Sequence, residues 1–530
     1  MPRTGDAAPP AAERPRTAAE VRDLARSGGL AAAVGALLPA LEAFERFDTP
    51  ERTGVRRAAW SERLDGPLPR RGAGADAVLE LLAEVAIPNG LRSGHPGFSG
   101  WVATAPTTVP AAAHLAAAVA GPLAVGIQAF NLMEAVAARW LAELLGLPVP
   151  YQGLFTSGGT VANLIGLGAA RQHAGERRGI DVSRDGAHAL PHPRIYATSE
   201  THHCIHRAAG VLGLGRAAVV EVSIDRGRRM DAGALRRMLA EDAAAGRTPV
   251  AVAATAGTIS TGAVDPLPEI ADACEAHGVW LHVDGAYGML GVLDPEVAPL
   301  YGDLARIDSM VADPHKWLAT SQGIGCVLVR DAGIMERAFT LEPAVYVEGS
   351  QPPPPPPGGE VRSQLDGFGH VFHHLGVEHS LPSRGVEVWA VLREIGEEGV
   401  RARVRRHNGY ARYLAERIRR SPVLEEMAPV TLSTCCFRYL PAELRGRGDP
   451  EAAGLLSRLN AAVLGEVRAR GRCMPSGTLL DSDFVIRSCF VNPRTGIADV
   501  DALVEEVEAA GAQVWSSMRP AAPAPAPHSP

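Results

Sequence analysis

Lysine is almost missing from this sequence: among 52 Lys and Arg residues, only Lys316 is a lysine. Arginine evidently serves wherever a solvated cation is needed, so a surface charge does not explain this position. A guanidinium, with a pKa above about 12, does not release its proton near neutral pH. A lysine amine does so once burial or a neighbour lowers its pKa, and it then attacks a carbonyl to form a Schiff base. Survival of one lysine by drift is the plainer explanation, and the residues around it, Asp313-Pro314-His315-Lys316-Trp317, weigh against it.

Other absences narrow the function further. No apolar run reaches the roughly 18 residues that cross a bilayer, and the N-terminus, with Asp6 and Glu13, lacks the compact apolar segment of a secretory signal. A cytoplasmic protein with no membrane partner is expected. The net charge of −7 is spread along the chain, which leaves no basic patch for nucleic acid. Seven cysteines, an odd number without C-x-x-C spacing, read as reduced thiols, with Cys435-Cys436 as strand core and no metal site expected. Neither G-x-x-x-x-G-K-[ST] nor H-E-x-x-H occurs, which disfavours a nucleotide- or zinc-dependent enzyme. What remains, 530 residues at 46% hydrophobic and 21% charged, is an ordinary globular chain long enough for two or three packed units.

Residues 1–17 and 516–530, rich in Pro and Ala, are expected to be disordered tails. Residues 18–120 are read as a mainly helical segment, with helical patterns over 18–47 and 75–86. Between them and the centre, Gly94 to Trp101 is a glycine-punctuated loop, too irregular for helix or strand. A helix is expected over 131–145, stopped by Gly146. Across 121–385, short apolar runs (195–198, 217–224, 250–254, 279–283, 325–329) alternate with helical patterns such as 161–171, 230–244 and 267–277. That alternation predicts an α/β fold with a mostly parallel central sheet and flanking helices. The run of prolines within 351–359 is an exposed loop. From 386 to 515, helices over 386–395, 400–419, 451–470 and 500–510 and strands over 430–438 and 484–491 make a smaller α+β domain.

Four segments at strand-to-loop junctions carry chemistry. Thr156-Ser157-Gly158-Gly159-Thr160 opens a helix, where glycines, hydroxyls and the helix start suit an anion, although such residues also serve as a simple cap. His202-His203-Cys204 offers an imidazole that is structural, a stacking partner or a metal ligand, the last disfavoured because no second ligand pair follows at fixed spacing. His282-Val283-Asp284-Gly285-Ala286-Tyr287 ends an apolar strand with an acid, which is costly unless a buried cation meets it. The fourth is the lysine segment. Nucleophilic lysine, anion cradle, buried acid and stackable imidazole together describe a site for pyridoxal 5′-phosphate.

With these residues in view, the sequence resembles the pyridoxal-phosphate-dependent group II decarboxylases, the family of aromatic-L-amino-acid and glutamate decarboxylases. The resemblance rests on T-S-G-G-T-x-A-N at 156–163, S-E-T-H-H at 199–203, A-T-A-G-T at 254–258, H-V-D-G-A-Y at 282–287, D-P-H-K-W at 313–317 and N-P-R-T at 492–495. It covers about residues 75–510 in the family's order. It implies a fold-type I architecture and a homodimer with the active site at the subunit interface, the 18–120 segment packing across it. It implies Lys316 as the Schiff-base lysine, Asp284 at the pyridine nitrogen and His202 on the ring face. By the same resemblance Gly159 and Thr160 hold the phosphate, with Thr258, Asp313 and His315 close by and Ala286 under the ring. Phe98, Trp101, Thr104 and Phe372 fall where the family lines its substrate pocket. The implied reaction is decarboxylation of an L-amino acid to its amine and CO2.

Two departures bear on that reaction. Ile259 replaces a family threonine, so Thr258 is expected to compensate. Phe372 stands, by counting back from Trp389, where the family's loop tyrosine protonates the carbanion, and phenylalanine has no proton to give. Tyr346, His370, His373 and His374 are alternative donors. Without a donor, oxygen intercepts the carbanion and the products are aldehyde, ammonia and peroxide. A carbon–carbon lyase, an aminotransferase and a non-catalytic scaffold are the further alternatives. Phe98 and Trp101 favour an aromatic or bulky apolar substrate, unless both pack at the dimer interface.

Overall fold

Apolar runs flanked by helical segments become, in the computed structural model, a sheet covered on both faces. The structure describes residues 29–46, 57–126, 128–148, 151–340 and 370–518. The expected tail 1–17, the polyproline insert 351–359 and Tyr346 lie outside the described residues. By packing, the chain divides into Met1–Arg92 and Ser93–Pro530. The first unit contains helices Gly29–Phe44, Arg57–Leu64 and Ala75–Leu81, the last widening into a π turn, Leu82–Ala86. Within this unit the Arg92 guanidinium donates to the Phe44 carbonyl at 2.9 Å.

Among its described residues the second unit carries twelve strands: β1 Phe98–Ser99, β2 Gln152–Thr156, β3 Pro193–Ala197, β4 Val219–Glu221, β5 Thr248–Thr255, β6 Trp280–Asp284, β7 Ser309–Ala312, β8 Gly325–Val329, β9 Leu424–Glu426, β10 Thr434–Tyr439, β11 Met474–Leu480 and β12 Asp483–Cys489. The large sheet has the order β2-β8-β7-β6-β5-β3-β4. Its β7/β6, β6/β5, β5/β3 and β3/β4 pairs are parallel, whereas β8 runs antiparallel to both neighbours. Strands β2, β3, β5, β6 and β7 therefore all point the same way. Their carboxyl ends open on one edge, where α/β sheets bind ligands. The helix Gly159–Glu176 crosses β5 to β8 on one face.

The small sheet, ordered β1-β11-β12-β10-β9, is antiparallel except for the β1/β11 pair. The segment Gly94 to Trp101, expected to lack regular structure, thus contributes a strand. Phe98 pairs with Met474 and Ser99 with Pro475, partners too distant in sequence for any local pattern to reveal. Strands β2, β7, β9 and β11 were likewise absent from the sequence reading. Strand β9 is a brief edge, and β11 contains Pro475 and Gly477, which lower strand propensity. The two helices expected over 386–395 and 400–419 are both present within Gly385–Arg420, separated by a kink at Gly396, whose backbone is not helical (φ 64, ψ 178). That left-handed backbone is open to glycine at no steric cost. The last helix, Ile497–Met518, extends past the boundary expected for the tail. No helix among the described residues is long and apolar enough to cross a membrane.

One buried acid makes the fold pH-sensitive. Glu134, on the helix Ala129–Leu144, accepts the Gly385 N–H at 2.6 Å. Burial raises its pKa from 4.5 to about 8, against the opposing pull of that N–H and of Arg384. The folded state thus keeps a proton that the unfolded chain releases above pH 4.5. Stability falls as pH rises through this window and levels off above about 8. Glu134→Gln is neutral at every pH and keeps a carbonyl for Gly385. Denaturant unfolding should show wild type losing a few kcal/mol relative to this variant between pH 5 and 8. Parallel pH profiles would contradict the assignment.

Candidate active site

Lys316 stands on a single helical turn, Pro314–Trp317, directly after β7. Proline at the first helical position pre-sets the turn's φ. Trp317 is 1% exposed and stacks on Tyr287, with centroids 5.8 Å apart and planes 24° apart. Arg403, from the bent helix, donates to the Leu318 carbonyl at 3.1 Å. The Asp313 N–H donates to the Ala286 carbonyl at 3.0 Å, which ties the lysine turn to the loop after β6. The Lys316 Nζ lies 3.3 Å from the Asp313 Oδ2.

Asp284 ends β6, 6% exposed. Its Oδ1 accepts the Ala286 N–H at 3.2 Å, and the Cys204 thiol donates to its Oδ2 at 3.7 Å. No ion pair among the described residues reaches it. An uncompensated buried carboxylate costs several kcal/mol, and this one faces a cavity of about 240 Å³. His202 reaches the same cavity with its Nδ1 accepting the Cys204 N–H at 3.3 Å. Burial lowers the His202 pKa, Asp284 raises it, and His203 and Lys316 lower it further.

The loop after β2 supplies the opposite pole. Gly158 has φ 116, in the region that L side chains avoid, and Gly159 begins the helix that crosses the sheet. A Cβ on Gly159 would lie 2.6 Å from the Asp313 Oδ2, so this glycine lets the lysine turn approach the helix. No side chain caps the N-terminus of this helix. Its first N–H groups and positive end are therefore available to an anion. The Asn163 amide nitrogen donates to the Gly159 carbonyl at 2.8 Å, and its Oδ1 meets the His282 Nε2 at 2.7 Å.

The cavity brings together Trp101, Gly159, Thr160, His202, Asp284, Ala286 and Lys316. Asp313 and His315 stand behind it, with the His315 Nδ1 bonded to the Ile324 carbonyl at 2.7 Å. Thr258 does not line the cavity. Its hydroxyl bonds to Thr261 at 3.0 Å and accepts the Ala263 N–H at 3.1 Å, while Ile259 lines the cavity. Phe98 and Thr104 are buried and do not line the cavity, although Phe98 packs edge-on against Trp101 at 6.1 Å. Phe372, 3% exposed in the 3-10 turn Phe372–His374, packs into the core beside one face of the large sheet. It does not line the cavity of the single chain. His370, His373 and His374 do not line it either.

Sequence reasoning missed Arg487, which reaches the cavity from β12 on the small sheet. It is 6% exposed, donates from Nε to the Ser476 hydroxyl at 3.2 Å and also donates to the Ile259 carbonyl. The available signal was a charge directly after the apolar run Phe484-Val485-Ile486 within β12. Pyridoxal 5′-phosphate fits the residues present. A buried carboxylate without a cation suits a protonated ring nitrogen, the free helix end suits a phosphate, and the sole lysine suits an aldehyde.

Comparison with known proteins agrees with this chemistry. Residues 84–440 match the pyridoxal-dependent decarboxylase conserved domain. The chain is 29% identical over 462 residues to an aromatic-L-amino-acid decarboxylase of Bacillus atrophaeus, covering 85% of this chain and 88% of the relative. It is 30% identical over 391 residues to cysteine sulfinic acid decarboxylase of Rattus norvegicus, covering 72% of this chain and 74% of the relative. The crystal structure of mouse CSAD superposes with a TM-score of 0.79 at 25% identity, covering 90% of this chain and 99% of that one. Sequence, fold and site thus converge, and the chain belongs to the pyridoxal-dependent decarboxylase family, enzymes that use pyridoxal 5′-phosphate to remove a carboxyl group from an amino acid.

Proposed function

We propose that this enzyme decarboxylates an L-amino acid with an aromatic or bulky apolar side chain, releasing the amine and CO2, with Lys316 as the cofactor's covalent anchor. The observation that carries this reading is the buried, cation-free Asp284 sharing one cavity with the sole lysine. When bound, pyridoxal 5′-phosphate supplies the electron sink for the pair left at the α-carbon. Asp284 holds a proton at the ring nitrogen, which keeps that sink effective. The N–H groups of Gly159 and Thr160, with the Thr160 hydroxyl, hold the phosphate. His202 and the small Ala286 side chain, which line the same cavity, would hold the cofactor's ring. Asp313 orients the Lys316 amine, which would hold the cofactor's aldehyde.

Arg487 receives the substrate carboxylate, and the side chain lies against Trp101 and Ile259. A second copy of the chain completes the site: Trp101 is 55% and Ile259 44% exposed, an apolar rim that a partner subunit would cover. All seven cysteines are free and buried, which suits the reducing cytoplasm.

The test is aerobic turnover of an L-amino-acid panel by cofactor-loaded protein, with amine, CO2, aldehyde and peroxide followed together. Amine equal to CO2, best with aromatic or bulky apolar substrates, is expected. Aldehyde and peroxide equal to CO2 would replace the proposal with an aldehyde synthase, and preference for acidic substrates would overturn the pocket reading. Arg487→Gln is expected to lower kcat/KM by about 10- to 100-fold, mainly through KM, because a charged hydrogen bond to substrate is lost. An unchanged KM would remove Arg487 from substrate binding.

A further inference from the structure

We propose that in the cofactor-free enzyme His202, Cys204 and Asp284 form a three-ligand site for a thiophilic divalent cation such as Zn2+, whose occupancy excludes pyridoxal 5′-phosphate. A His ring nitrogen, the Cys204 sulfur and an Asp284 carboxylate oxygen all lie within 4.8 Å of one another. The sulfur is 3.7 Å from the Asp284 Oδ2. Tetrahedral zinc, with bonds of roughly 2.3 Å to sulfur and 2.0–2.2 Å to oxygen, would hold those two atoms about 3.5 Å apart. For that pair a shift of a few tenths of an ångström suffices, and the His202 nitrogen, within 4.8 Å of both atoms, closes on the ion by a movement of up to about 1 Å.

The ligands come from two places in the fold. Cys204 opens the helix Cys204–Val211, His202 lies two residues before it, and Asp284 ends β6. Their juxtaposition is set by tertiary structure, which is why sequence spacing alone argued against a metal here. The donors are already oriented from behind. The Ala286 N–H holds the Asp284 Oδ1 at 3.2 Å, leaving Oδ2 for the ion. All three residues line the same cavity, so a water molecule has room as fourth ligand. Binding releases the Cys204 proton to solvent. Thiolate, carboxylate and a doubly charged cation then sum to zero, which offsets the burial of Asp284. The exclusion rests on the reading of Asp284 as partner of the cofactor's ring nitrogen, because one carboxylate cannot serve both.

The full-length protein is stripped of cofactor and titrated with Co2+. One equivalent per chain should produce a sulfur-to-cobalt charge-transfer band that Zn2+ bleaches. Cys204→Ser should lose the band and bind Zn2+ at least about 10-fold more weakly, with a thermal melt like that of wild type. Reloading with pyridoxal 5′-phosphate, followed by cofactor absorbance, should be slowed by Zn2+ in wild type and not in Cys204→Ser, each judged against its own metal-free rate. Absence of the band, or its persistence in Cys204→Ser, overturns the metal site and leaves the cofactor assignment standing. A band with reloading unaffected by Zn2+ overturns the exclusion and counts against Asp284 as the ring partner.

Discussion

Lys316→Ala is expected to lower turnover on the order of 10⁴-fold or more, the scale seen when a covalent catalytic group is removed. The size of the effect follows from composition: no other lysine in the sequence can stand in. Lys316→Arg is the sharper variant, because it keeps a cation beside Asp313, where the Nζ lies 3.3 Å from the carboxylate. Arginine preserves the ion pair yet cannot supply a neutral amine near pH 7. A scaffold that needed only the charge would tolerate it. Single-turnover CO2 release in both variants separates the two cases, and near-wild-type rates in Lys316→Arg would remove covalent catalysis from the account.

Asp284→Asn should lower turnover by about 10²- to 10⁴-fold, the range associated with a positioned proton-holding group. The same change acts in the opposite direction on the cofactor-free protein. Asn retains an oxygen for the Ala286 N–H but removes a buried charge that no ion pair among the described residues neutralises. Cofactor-free Asp284→Asn should therefore melt at or above the wild-type temperature while being far less active. A variant that is equally active, or one that is simply unfolded, would mean that Asp284 is a structural acid.

How much of this was legible in the sequence depends on where each feature's partner lies. The helix Leu267–His277 and strand β8 coincide with their expected limits, because period and composition are local properties. The segments holding Gly159, His202, Asp284 and Lys316 were legible as well, because their residue types stand out locally, although β2 and β7, which lead into two of them, were not. Features created by distant contacts were not. Strand β1 exists only through its pairing with β11, and Arg487 enters the cavity only because β12 is brought to it. The surroundings of Phe372 were illegible for another reason. Its assignment depended on counting residues across the insert, and spacing alone did not reveal that its side chain lies in the core. The proximity of Cys204 to Asp284 belongs with the distant contacts, and so does the metal site argued from it.

The most direct test of the central claim is borohydride reduction of the cofactor-loaded enzyme followed by peptide mass spectrometry. The account predicts one reduced cofactor adduct, on the peptide that contains Lys316, with loss of activity in proportion to labelling. Full activity with no adduct on that peptide would contradict it.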